Sequence, residues 1–156
     1  MFRKLALIFL TTAVAAVSMA QGMAEAPTMK VTIDKKTVKP GGVLKGEVLL
    51  TFASGLHGYQ NPPSKDYMIP VTVKLEGKAF KEKDLKVTYP VGNDFMANGE
   101  SAKVYEGTVK IPFTLKLPAK PGKYDLDLVV GYQQCNESSC WPPAQLKNKT
   151  KIELKK

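Results

Sequence analysis

Cys135 and Cys140 are the two cysteines of this chain, with four residues between them in the stretch GYQQCNESSCWPP, Gly131 to Pro143. Two thiols so placed can do one of two things. They can close a small structural staple, or they can cycle between dithiol and disulfide and pass electrons to another protein. Residue types exclude several other chemistries. A blue-copper site needs two histidines beside a cysteine, and His57 is the one histidine present. Haem attachment needs Cys-x-x-Cys-His, and a thioredoxin-type helix needs Cys-x-x-Cys; neither occurs. The six methionines include Met1 and Met19, which leaves too few for a Met-rich copper carrier. No cofactor and no metal are expected.

The compartment decides which thiol chemistry is open. The chain begins MFRKLALIFLTTAVAAVSMA: Arg3 and Lys4, then an apolar run from Leu5 to Val17, then the small-x-small Ser18-Met19-Ala20. This layout predicts a signal peptide over residues 1–20, cleaved before Gln21, and an exported, periplasmic protein. The competing reading is a retained membrane anchor, but the run falls short of the roughly 20 apolar residues that span a bilayer. Removing 20 of the 156 residues leaves 136, enough for one domain. Losing Arg3 and Lys4 with the leader lowers the formal net charge from +9 to +7. The lysines alternate with apolar residues, as in KVTIDKK and VTVKL. That pattern is the wet face of a strand, not a nucleic-acid surface, and its charge would steer acidic partners.

The rest of the chain is predicted to be strand almost throughout. Alternation or β-branched enrichment marks 29–33, 44–52, 69–75, 85–89, 103–117, 124–132 and 146–154. Turn signals separate them at Lys39-Pro40-Gly41-Gly42, Asn61-Pro62-Pro63, Asn98-Gly99 and Lys120-Pro121-Gly122. Short strands punctuated in this way predict an all-β fold, an antiparallel β-sandwich of immunoglobulin type over residues 28–156, with residues 21–27 as a flexible leader. Pro112, inside the 103–117 run, predicts an edge or a bulge there.

In an exported chain a disulfide can form. A loop this small gains only about 2 kcal/mol from closure, and a domain of this size has core enough without it. The spacing therefore leaves staple and electron carrier equally open.

The flanking residues add a resemblance. Tyr132-Gln133-Gln134-Cys135, then Cys140-Trp141-Pro142-Pro143, after Pro121-Gly122-Lys123-Tyr124, resembles the N-terminal periplasmic domain of DsbD, a membrane protein that carries reducing equivalents to periplasmic disulfide proteins. Lys39-Pro40-Gly41-Gly42, Gly46-Glu47-Val48, Gly55-Leu56-His57-Gly58-Tyr59, Tyr89-Pro90, Asp94-Phe95 and Val104-Tyr105-Glu106-Gly107 are similar to the family as well. The likeness runs from Thr28 to Leu154. It implies a redox-active pair in which Cys140 forms the mixed disulfide and Cys135 resolves it. It also implies a cap loop at Asp94, Phe95 and Met96 that covers the pair until a partner docks. The implied partners are thioredoxin-like periplasmic proteins and a membrane electron donor of DsbD type. DsbD itself continues into membrane helices and a thioredoxin-like domain, so a chain ending at Lys156 is expected to be a free-standing, monomeric version.

Four neighbouring residues have two readings each. Tyr59 and Tyr132 can line the site, or be ordinary strand tyrosines. Trp141 and Pro142 can form a docking surface beside the sulfurs, or pack on the sandwich, since proline makes the exit rigid. His57 reads as a surface or strand-end residue. Two other functions compete with electron relay: a non-redox binding or adhesion module with a structural disulfide, and an assembly factor that makes contact through Trp-Pro-Pro.

Overall fold

Residues 25–97 and 99–155 are described by a computed structural model. The predicted signal peptide, its cleavage point and Asn98 of the predicted turn lie outside the described residues. The strands in chain order are β1 (Thr28–Ile33), β2 (Thr37–Val38), β3 (Val43–Thr51), β4 (His57–Tyr59), β5 (Thr72–Glu76) and β6 (Leu85–Val87), followed by β7 (Asn93–Ala97), β8 (Glu100–Glu106), β9 (Thr108–Lys116), β10 (Gly122–Tyr132), β11 (Gln134–Cys135) and β12 (Ala144–Leu154). They form three four-stranded sheets, ordered β1-β3-β9-β6, β2-β12-β10-β5 and β11-β4-β8-β7. All the ladders are antiparallel except β12 with β2. The fold is all-β, an immunoglobulin-like sandwich made of the first two sheets, with the third at one end.

Alternation is what buries the body. Leu126, Leu128, Val130 and Tyr132 on β10 point inward, opposite Ile111, Phe113 and Leu115 on β9 and Leu44, Val48 and Leu50 on β3. Each fully buried aliphatic or aromatic side chain contributes about 1.5–3 kcal/mol. Gly46 stands in register with Phe113 and leaves room for its ring.

Two expectations change. The 103–117 run is two strands, not one. Gly107 has φ +54°, in the left-handed region that glycine enters without steric cost, and it divides β8 in the end sheet from β9 in the sandwich. Pro112 lies on neither an edge strand nor a bulge, because β9 runs between β3 and β6 with unbroken register. Its carbonyl accepts from the Thr88 N–H just past the end of β6. N–H and C=O of one strand residue face the same side, so the donor that proline lacks would have pointed there and not at β3.

The described part of the predicted flexible leader is held down. Pro27 is buried, and the Glu25 carbonyl accepts a 3.0 Å hydrogen bond from Gln134 Nε2.

Candidate functional site

The end sheet has two unlike faces. Paired residues in an antiparallel sheet point to the same side, and alternate residues along a strand to opposite sides. One face carries Gly58 and Tyr105 and lies on the sandwich. A Cβ on Gly58 would sit 2.6 Å from the Phe52 ring, so only glycine allows that contact. Tyr105, buried in the main core, donates to the Pro90 carbonyl at 2.8 Å and fastens the segment leading into β7. The other face carries Cys135, His57, Tyr59, Glu106, Val104, Ala102 and Phe95. On this face Met68, Ala102 and Val104 form a small separate buried cluster, with Tyr59 and Phe95 packed against it.

Cys135 and Cys140 are joined in a disulfide that closes the turn after β11. Asn136 shapes this turn. Its Oδ1 accepts from the N–H groups of Ser138 at 2.9 Å and Ser139 at 2.8 Å, while its own N–H donates to the Ser139 carbonyl at 2.9 Å. An asparagine that bonds its own backbone this way builds a turn without help from the rest of the fold. Beyond the pair, the Trp141 N–H donates to the Gln134 carbonyl at 2.9 Å, and Gln133 Nε2 donates to the Trp141 carbonyl at 3.1 Å.

The two sulfur-bearing residues are not equivalent. Cys135 is 1% exposed, whereas Cys140 is exposed. Cys140 lines an open cavity of about 360 Å³ together with His57, Tyr59, Phe95, Glu100 and the turn residues from Asn136 to Ser139. The Tyr59 hydroxyl lies 3.8 Å from Cys140 Sγ.

The residues singled out from sequence fall into two groups. Tyr59, Phe95 and Cys140 meet at this cavity. Asp94 and Met96 do not. They point to the opposite side of β7, where exposed Asp94 pairs with Lys103 at 2.8 Å and Met96 is 69% exposed. The predicted cap loop is itself the edge strand β7, hydrogen-bonded to β8. Its Phe95 ring rests on His57, with centroids 4.2 Å apart. Tyr132 belongs to the main core and borders a different groove with Ile69, Pro70 and Pro143, and burial raises its phenol pKa. Trp141 is half-buried and Pro142 exposed, both outside the cavity wall.

His57 departs from its surface reading: it is buried, at 2% exposure, although it does begin a strand. Desolvation lowers its pKa from the usual 6.5, opposed by the negative charge of Glu106. A lone histidine in a three-residue strand gives no periodic signal, which is why the sequence hid it. Asn136 carried no signal in the sequence beyond its place in the spacer between the two cysteines.

An immunoglobulin-like sandwich with a disulfide on a small end sheet, one sulfur-bearing residue exposed and the other buried, is a domain with an accessible cysteine pair. The chain is a member of the family described as thiol:disulfide interchange protein DsbD, N-terminal, which matches residues 24–151. Among solved structures, the N-terminal periplasmic domain of ScsB from Proteus mirabilis matches with a TM-score of 0.60 at 15% identity, covering 83% of this chain and 47% of that one. The chain thus spans about half the length of that periplasmic domain. The reduced N-terminal domain of DsbD from Neisseria meningitidis matches with a TM-score of 0.48 at 19% identity, over 69% of this chain and 77% of that one. A search of curated proteins finds no match. Family membership and the cysteine pair together support thiol–disulfide exchange, and the periplasmic setting of DsbD N-terminal domains agrees with export.

Proposed function

We propose that this protein is exported to the periplasm, with its leader cleaved before Gln21, and relays reducing equivalents from a membrane electron transporter of DsbD type to thioredoxin-like proteins. The carrier is the Cys135–Cys140 pair. A donor thiolate attacks Cys140 and Cys135 leaves, and the donor's second thiol resolves that mixed disulfide, leaving the pair as a dithiol. In the second half, the Cys140 thiolate attacks the acceptor's disulfide, and Cys135 attacks the new mixed disulfide on Cys140 and releases the reduced acceptor. The observation that carries this reading is the unequal exposure of the pair. A partner reaches the exposed residue, Cys140, while buried Cys135 is accessible only from within. Phe95 is the cap, acting from an edge strand, with Asp94 and Met96 on its outer side. Tyr59 lines the site beside Cys140 Sγ, and Trp141 with Pro142 forms the flank that a docked partner touches.

Trapping tests the assignment. Cys135→Ser should accumulate a mixed disulfide with a thioredoxin-like partner, and Cys140→Ser should trap none. The wild-type pair should equilibrate with redox buffers between about −180 and −270 mV. A potential below about −300 mV, with neither variant trapping a partner, would mark a structural staple and return the domain to the binding-module class.

A further inference from the structure

Three neighbouring strands bring a thiol, an imidazole and a carboxylate into one row. His57 on β4 is the direct register partner of Cys135 on β11 and, on its other side, of Glu106 on β8. Directly paired residues share a face, with Cβ atoms about 4.5–5.5 Å apart. The row is therefore Cys135, His57, Glu106, on the side of the sheet that holds the disulfide.

Under the exchange reading, the resolving step has a difficulty that this row answers. Cys135 is buried even as a disulfide. Burial disfavours the charged form of a thiol, and the thiol is a much weaker nucleophile than the thiolate. We propose that His57 accepts the proton of the Cys135 thiol in the resolving step and that Glu106, behind it, favours the resulting imidazolium. The step begins with Cys140 joined to the partner sulfur. The Cys135 S–H proton passes to the imidazole, and the thiolate attacks Cys140 Sγ. The Cys135–Cys140 bond forms and the bond from Cys140 to the partner breaks. The electron pair leaves on the partner thiolate, so the partner gains two electrons and the pair is oxidised. His57 then returns its proton to the departing thiolate or to water.

The surroundings suit this role. Burial keeps His57 neutral at pH 7, so a ring nitrogen is free to accept. The ionisable groups facing it are Glu106 on β8, Cys135 on β11 and Tyr59 on its own strand, with Tyr67, Glu100 and Glu137 around the cavity. None is a cation, so the imidazolium is formed among groups that are neutral or negative. The Phe95 ring lies against the imidazole and shields it from water.

The test is a stopped-flow reaction of the reduced full chain with an aromatic disulfide whose released thiolate is coloured. The first release reports attack by Cys140, and the second reports resolution by Cys135. In His57→Gln the second phase should slow by at least about tenfold at pH 7 relative to the first phase of the same variant, when compared with that ratio in the wild type. The second phase of the wild type should fall on acidification through the imidazole pKa, and His57→Gln should lack that inflection. Glu106→Gln, an exposed change that leaves the core alone, should slow the second phase by a few-fold and move the inflection to lower pH. Equal second phases with unchanged pH profiles in both variants would overturn the role of His57 while leaving exchange intact. Absence of a first phase in the wild type would overturn the exchange reading, and this proposal with it.

Discussion

The sandwich body and the end sheet are built on opposite economies of burial. In the body one cluster runs through both large sheets, from Leu44 and Val48 across Phe113 and Leu115 to Leu126 and Ile152. At the end sheet the separate buried cluster is Met68, Ala102 and Val104, helped by the partly exposed Tyr59 and Phe95. Strands of nine and eleven residues frame the body, and strands of two and three residues carry Cys135 and His57. The difference teaches where rigidity is needed. Under the proposed exchange a sulfur that meets a partner cannot be sealed in a core, and Cys140 stands exposed on a thin sheet backed by a thick one. Gly58 and Tyr105 are the seam, joining a weakly packed face to a strongly packed one.

Breaking the body should have the largest effect. Phe113→Ala empties a 2%-exposed site at the centre of the main cluster and should cost about 3–5 kcal/mol. Denaturant unfolding would measure this, and in the molecules still folded the Cys140 sulfur should react with small thiols at the wild-type rate. If Cys140 reactivity in the folded fraction changed as much as stability did, the two regions would be one cooperative unit and the comparison would fail. Phe95→Ala should do the reverse. The ring is half-buried on the small cluster, so stability should drop by about 1 kcal/mol. Small thiols should then reach the Cys140 sulfur several-fold faster, as expected when a hydrophobic cover is removed. Unaltered reactivity in this variant would end the reading of Phe95 as a cap.

The same contrast governs what could be read from the sequence. The body was legible because its strands are long enough to repeat the period of two, as in Tyr124 to Tyr132 and Leu146 to Leu154. The end sheet was not. His57-Gly58-Tyr59 and Gln134-Cys135 are too short to show a period, and β7 was expected as a cap loop because the family resemblance implied one at Asp94, Phe95 and Met96. Around Gly107 the burial changes: β8 buries Ala102 and Val104 on one face and Tyr105 on the other, whereas β9 buries Ile111, Phe113 and Leu115 on one face, and only register assigns the two strands to different sheets. The cysteines stood out through chemistry and through Tyr-Gln-x-Cys and Cys-x-Pro-Pro, but His57 became visible only when register placed it beside Cys135.

The smallest expected effect is a pH dependence confined to the end sheet. His57 is the one imidazole in the chain, and burial lowers its folded pKa below the 6.5 of the free group. An unfolded imidazole therefore binds a proton at a pH where the folded one does not. Stability from this group is fully present above about pH 6.5 and is lost as pH falls from there toward the folded pKa, below which the loss is complete. Carboxylates titrate lower, so the window just below about pH 6.5 reports this group. Wild type should lose stability across that window, and His57→Gln should lose less, by urea unfolding at a series of pH values. Hydrogen exchange locates the effect: amides of β4 and β11 should open more readily on mild acidification, while those of β3 and β9 keep their protection. Should β3 and β9 loosen together with β4, the proton is felt by the whole domain, and the end sheet is not the independent, softer region that its thin packing implies.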